Sequence, residues 1–247
     1  MSRFWIILKR DLANLLKSPV LLQFNTLLPI LLTLILGFLC QGNYGEDITS
    51  YDYYGITMLL FTVISVSVSA ANGFMEKSIK ACNLRVIYSP IKVSYIYLSK
   101  IVATFLYTSV CFMLVIGVCK FFMGVDYGGK NFGYVLLLIL LLDLLSAALG
   151  VMFCCIFKSE EVSSQILSMA NNVMGILGGL FFQLDGLGKA ASTISNISPV
   201  KWVLVGIMKV IYDGDLSFMI PITIIFLSVT VLLTFICKLT FRTEDYV

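Results

Sequence analysis

Histidine is absent from all 247 residues, and Asp, Glu, Lys and Arg together make up only 13% of the chain. A soluble domain carries roughly twice that charged fraction. Without histidine, and with no CxxC pair among the seven cysteines, the residues argue against zinc or haem ligation. Cys40, Cys111, Cys119, Cys154, Cys155 and Cys237 fall in or at the ends of apolar runs, and Cys82 falls in a basic loop, so buried thiols are expected rather than a disulfide framework. No GxxxxGK[ST] loop occurs, which excludes ATP hydrolysis by that device within this chain. A nucleophile elbow, an HExxH motif and an acid pair suited to intramembrane proteolysis are also missing. The chain is not expected to be an enzyme, and it offers no catalytic or metal residue. A net charge of +3 and a pI near 8.4 are too mild to imply a nucleic-acid partner.

What the chain has in abundance is apolar sequence: 59% hydrophobic residues and a mean hydropathy of +0.97. The expected class is all-α integral membrane. A bilayer core takes about 20 apolar residues to cross, and six runs reach that length, near 20–40, 53–73, 97–122, 132–157, 163–183 and 217–238. The first run is too long for a signal-peptide core and carries bulky residues before Cys40, so it is expected to be retained as a span. Ahead of it, residues 2–18 are amphipathic. Trp5, Leu8, Leu12 and Leu15 recur at helical spacing, while Arg3, Lys9, Arg10, Asn14 and Lys17 fall largely elsewhere, as in a helix lying in the membrane interface against lipid. Ser18 and Pro19 offer an N-cap and first-turn proline for the next helix.

Positive charge gathers from the end of the second run to the start of the third, over 72–100. Lys77, Lys80, Arg85, Lys92 and Lys100 stand against one acid, Glu76. Many such loops only set membrane orientation, and composition alone does not separate that reading from a docking role. With the N-terminus in the cytosol, twelve cations fall inside and five outside (Lys120, Lys130, Lys189, Lys201 and Lys209). The positive-inside rule then places both termini in the cytosol. The segment 184–216 has an apolar part of roughly 14 residues holding Lys201 and Lys209, too short and too charged to span. Pro199 opens a helix there that should stop near Gly214, giving an extracellular re-entrant or interfacial element.

Asp143 stands in the middle of the fourth run, where a charge costs at least about 2.5 kcal/mol on insertion scales. It reads either as a proton or cation site or as a hydrogen-bonding link between helices. Asn171 and Asn172 in the fifth run, and Asn72 at the end of the second, carry the same two readings: pathway or helix contact. Ser65, Ser67 and Ser69, followed by Ala70, Ala71 and Gly73, favour a tight helix interface.

Three local patterns carry a resemblance. The loop reads Glu76-Lys77, Leu84-Arg85, Ser89-Pro90-Ile91, Tyr95 and Lys100; the fifth run ends Gly178-Gly179-Leu180-Phe181-Phe182; and Ile197-Ser198-Pro199-Val200-Lys201-Trp202 follows. In this order, over nearly the whole length, the chain resembles the ABC-2 type transporter permeases. It departs from the family pattern at Gln183, where proline is common, and at Ala81-Cys82-Asn83. The resemblance implies a single transmembrane domain paired with a second permease copy or homologue. The compact chain, the lack of a targeting peptide and the unpaired cysteines give the expectation of a plasma membrane of bacterial type. The resemblance also implies a separate ABC ATPase subunit that holds ATP and magnesium. The coupling loop 74–96, with Glu76, Lys77, Lys80, Leu84, Arg85 and Pro90, would dock on that ATPase. Trp5, Lys9, Arg10 and Leu12 would mark the interfacial helix, with membrane lipid as a partner. Phe181, Phe182, Pro199 and Trp202 would close the outer end of the pathway. The expected function is export of an amphipathic substrate such as an antibiotic, peptide or lipid-like molecule. The alternatives are an ion-coupled transporter working through Asp143 and a non-transporting immunity or scaffold subunit.

Overall fold

A computed structural model describes residues 3–43, 48–75, 92, 94–181, 193 and 195–241. The loop residues Glu76, Lys77, Lys80, Leu84, Arg85 and Pro90, together with Phe182, lie outside the described residues. Those described form helices and no strands. In chain order they are α1 (Arg3–Leu16), α2 (Pro19–Leu39), α3 (Ser50–Met75), α4 (Ser94–Met123), α5 (Phe132–Phe157), α6 (Glu160–Leu177), α7 (Pro199–Met208) and α8 (Met219–Thr240).

Five helices are long and apolar enough to cross a membrane: α2, α3, α4, the α5 segment with its leading turn, and α8. They match five of the expected runs to within a few residues. The sixth expected run, 163–183, corresponds to α6, which differs in kind. It has 18 residues, or about 27 Å at 1.5 Å per residue, and Glu160, Glu161, Gln165, Asn171 and Asn172 dilute its apolar content.

α3 is the axis of the bundle. Nearly every residue along it is buried, whereas α2 and α8 present long rows of exposed Leu, Ile, Val and Phe, as surfaces facing lipid do. Small residues let α5 approach α3 closely. A Cβ built at Gly150 would collide with the Ser67 carbonyl and come within 2.8 Å of the Ala70 methyl. Hydroxyls along α3 bend back onto their own helix: Thr62 donates to the Met58 carbonyl at 3.0 Å and Ser65 to Phe61 at 2.8 Å. This satisfies them without water.

α1 packs on α4 in a way the sequence pattern did not suggest. Leu8 and Leu15 are buried against Ala103, Tyr107 and Cys111, while Trp5 is exposed. The Leu8–Leu15 stripe therefore meets protein, not lipid. Ser18 has the extended backbone of an N-cap but makes no side-chain capping bond, and Pro19 opens α2 as expected. A π turn at Gln23–Leu27 interrupts α2 and buries Asn25, whose amide donates to the Leu21 carbonyl at 2.8 Å. At its other end the chain behaves as read: Pro199 opens α7, a π turn (Lys209–Asp213) prolongs it, and Gly214 stops it at φ 66°.

Two glycines test this packing. Gly150→Ala should lower stability by about 1–3 kcal/mol, because backbone and not a flexible side chain blocks the added methyl. Gly117, also in a spanning helix, has nothing within 4 Å of its Cβ position, so Gly117→Ala should leave stability unchanged or raise it by up to about 1 kcal/mol. Thermal unfolding of the two variants in detergent distinguishes them, and equal melting curves would contradict the α3–α5 contact.

Candidate functional site

The bundle has two ends. One carries α1, Met75, the start of α4 and Phe157; the opposite one carries Ser50, the turn at 124–131 and the end of α7. At the first end Asp11 of α1 is buried against α4. Its Oδ1 lies 2.6 Å from Lys100 Nζ, and its Oδ2 accepts from Ser99 Oγ at 2.8 Å. Both side chains of the ion pair are almost wholly shielded, at 6% and 5% exposure. Leu15 of α1 also reaches to 3.2 Å of where a Gly73 side chain would begin. α1 is thus clamped to the first turns of α4. Lys9 and Arg10 face outward, and Leu12 is half-buried in the α1–α4 cluster. Sequence reading passed over Asp11, yet its position was informative: it is the sole acid in α1 and falls on the Leu8–Leu15 line, at i+3 and i−4.

The seam between α3 and α6 gathers two of the candidate asparagines. Ser164 Oγ donates to Asn72 Oδ1 at 2.7 Å, and Asn171 Nδ2 donates to Ser67 Oγ at 3.0 Å. Further along, Gly175 lets the Phe61 ring approach, and Phe61 meets Phe181 edge-to-face at 5.1 Å. Asn171 and Gly175 belong to the buried line Ser163, Leu167, Asn171 and Gly175, and Ser164 lies beside it. Asn172 is on a different face. With Gln165 and Ser168 it forms an exposed polar stripe at i, i+3 and i+7, flanked by exposed Ile166, Met169 and Val173.

Asp143 is apart from this seam. It is fully buried on α5 and faces α4, where Thr108 Oγ1 lies 2.9 Å from each carboxyl oxygen and Ser109 Oγ lies 3.3 Å from Oδ2. Both hydroxyls also sit close to carbonyls of their own helix, Thr104 at 2.8 Å and Phe105 at 2.6 Å. The structure brings no cation to Asp143 among the described residues.

At the opposite end α6 stops short of α3's first turn. Tyr53 OH donates to the Gly179 carbonyl at 2.6 Å, Ser195 Oγ to Leu177 at 2.7 Å and Ser198 Oγ to Met174 at 3.0 Å. α7 then runs back toward the turn at 124–131, where Asn131 Nδ2 donates to the Val210 carbonyl at 3.2 Å. Of the expected gate residues, Phe181 lies in the cluster with Tyr53, Tyr54 and Met58, Pro199 is half-buried, and Trp202 is partly exposed with its indole N–H on the Asn196 carbonyl at 2.9 Å. Burial, reinforced by Asp52 and Asp126, pushes the Tyr212 phenol up to about 12.

The family model of the ABC-2 type transporter matches residues 2–212. No curated protein matches the chain. The chain therefore belongs to the ABC-2 type transporter family: it is a multi-pass membrane permease component, of a kind that normally pairs with an ABC ATPase subunit.

The Asp11–Lys100 clamp makes a quantitative expectation. Removing one member of a buried ion pair leaves the other charge uncompensated and costs about 3–5 kcal/mol, whereas replacing both with apolar side chains is close to neutral. Asp11→Leu and Lys100→Met should each destabilise strongly, and the double variant should recover most of the loss. Additive single effects in the cycle would show that the two groups do not interact.

Proposed function

As a member of that family the chain is, we propose, the membrane subunit of an ATP-driven exporter that works as a pair of permeases on a separate ATPase. The observation that carries this reading is the exposed stripe Gln165, Ser168 and Asn172. In a helix bundle surrounded by lipid, exposed amides and hydroxyls at mid-helix are unfavourable unless water or a second helix meets them. A pathway between two copies supplies both. The apolar residues flanking the stripe suit an amphipathic substrate better than a small hydrophilic ion.

In this reading the α1 end faces the cytosol, in keeping with the twelve-to-five distribution of cations. The shorter α6 makes the sixth crossing and stops within the outer leaflet, with α7 re-entering beside it. Loop 76–91 would carry the docking residues Glu76, Lys77, Lys80, Leu84, Arg85 and Pro90, and Asp11–Lys100 would hold α1 beside the point where that loop returns to the membrane. Phe181, Pro199 and Trp202 would narrow the outer end, with Phe182 alongside.

Asp143 would act as a link between α4 and α5 and not as an ion site, since its oxygens are engaged by Thr108 and Ser109. An amide has the same shape and can both accept and donate there. Asp143→Asn should therefore retain at least about half of wild-type activity, with a stability change of no more than about 1 kcal/mol. Loss of transport in a stably folded Asp143→Asn protein would favour the ion-coupled alternative.

The ATPase partnership is tested by purifying the solubilised protein beside a Lys77→Glu/Arg85→Glu variant. The expected result is an ATPase that accompanies the wild type and is lost from the variant. If the wild type brings down no ATPase, the exporter reading fails.

A further inference from the structure

The C-terminal end of α8 is wedged between the two helices that bracket loop 76–91. α8 stops at Thr240, and the backbone turns extended at Phe241 (φ −68°, ψ 119°), whose N–H still reaches the Cys237 carbonyl at 2.9 Å. The Phe241 ring turns inward. Its centroid lies 6.1 Å from that of Phe74, next to the last residue of α3, and 6.1 Å from that of Tyr97, in the first turn of α4. All three rings are buried, and the two pairs meet tilted. Tilted pairs at this separation add to the apolar burial of each ring. One side chain of the last span thus packs against both limbs of the loop.

Along the rest of its length α8 is held on one side only. With α2 it is the least buried of the five spanning helices, and it packs chiefly on α5 while its other rows stay exposed. Pro221 falls in its first turn and no π turn interrupts it, so its 22 residues form one rod. At the far end of that rod Ile222 Cδ1 lies 3.3 Å from where a side chain on Gly206 of α7 would begin. Close-packed contacts of this kind transmit displacement.

We infer that Phe241 is a positioning residue: it makes α8 follow displacements of the loop's two limbs and carries them to α7 at the opposite end of the bundle. The inference rests on the proposed docking of loop 76–91 on an ATPase. Phe226 separates this role from packing alone. It is buried at mid-α8, about 22 Å along the helix from Phe241 at 1.5 Å per residue, away from the limbs of the loop.

The test uses the permease purified with its ATPase and placed in lipid nanodiscs. Ile220, exposed at the α7 end of α8, is replaced by cysteine and labelled with bimane in a chain carrying Cys40→Ser and Cys82→Ser. The other five thiols are buried. Adding ATP and magnesium should shift the bimane emission. Phe241→Leu and Tyr97→Leu, which keep apolar bulk but remove a ring, should each cut that shift to about a third or less. Phe241→Tyr, which keeps the ring, should retain the full shift, and so should Phe226→Leu whatever its effect on the melting temperature. If Phe241→Leu does not fold, Tyr97→Leu decides. A full shift in the folded ring-deletion variants, an equal loss in Phe226→Leu, or no shift in the wild type with ATPase bound would each overturn the wedge and leave the exporter reading standing. Recovery of no ATPase at all would end both.

Discussion

A polar group inside a bilayer has no water to turn to, so each one must find a partner in the protein or cost several kcal/mol. This constraint organises the bundle. Thr33, Thr62, Ser65 and Thr230 each donate to a carbonyl four residues back on their own helix. Asn72 and Asn171 are satisfied across the α3–α6 seam, and Asp143 is satisfied across α4–α5. Asn25 Oδ1 and Thr57 Oγ1 are buried without a partner among the described residues. Against that background the outward stripe on α6 is the conspicuous departure: its polar groups point away from the core that satisfies the others.

The two ends of the bundle are built differently. At the α1 end, a buried ion pair fixes an amphipathic helix to α4, a geometry that gives direction and rigidity more than net stability. At the opposite end α7 packs against α3, α5, α6 and α8, ends at Gly214, and has cavities around it. In the function proposed above, a partner ATPase would act at the α1 end, where α1 is fixed to α4.

Much of this was legible in the sequence. Long apolar runs located five spanning helices because length and hydropathy alone dictate a transmembrane helix, and Pro199 and Gly214 marked the limits of α7 by their backbone preferences. The serine-alanine-glycine stretch from Ser65 to Gly73 announced a tight interface, and α5 fills it. Two things escaped. The periodicity of α1 shows an apolar stripe but not whether lipid or protein covers it, so it points Leu8 and Leu15 toward lipid where α4 in fact covers them, and it gives Asp11 no role. In α6, counting residues concealed how far the polar ones dilute the run, and a linear sequence does not say which of Asn171 and Asn172 turns inward. Neighbouring residues on a helix differ by about 100°, and only packing decides which of them is buried.

The most direct measurement is the reactivity of single cysteines on α6 toward a membrane-impermeant maleimide, in the assembled transporter with its native thiols replaced. Cysteines at Ser168 and Asn172 should react, and their reactivity should change when ATP is bound. Cysteines at Leu34 and Ile224, on the lipid-facing rows, should stay inert. If the α6 positions are as unreactive as those two in every nucleotide state, the stripe does not border a pathway and transport does not run along α6.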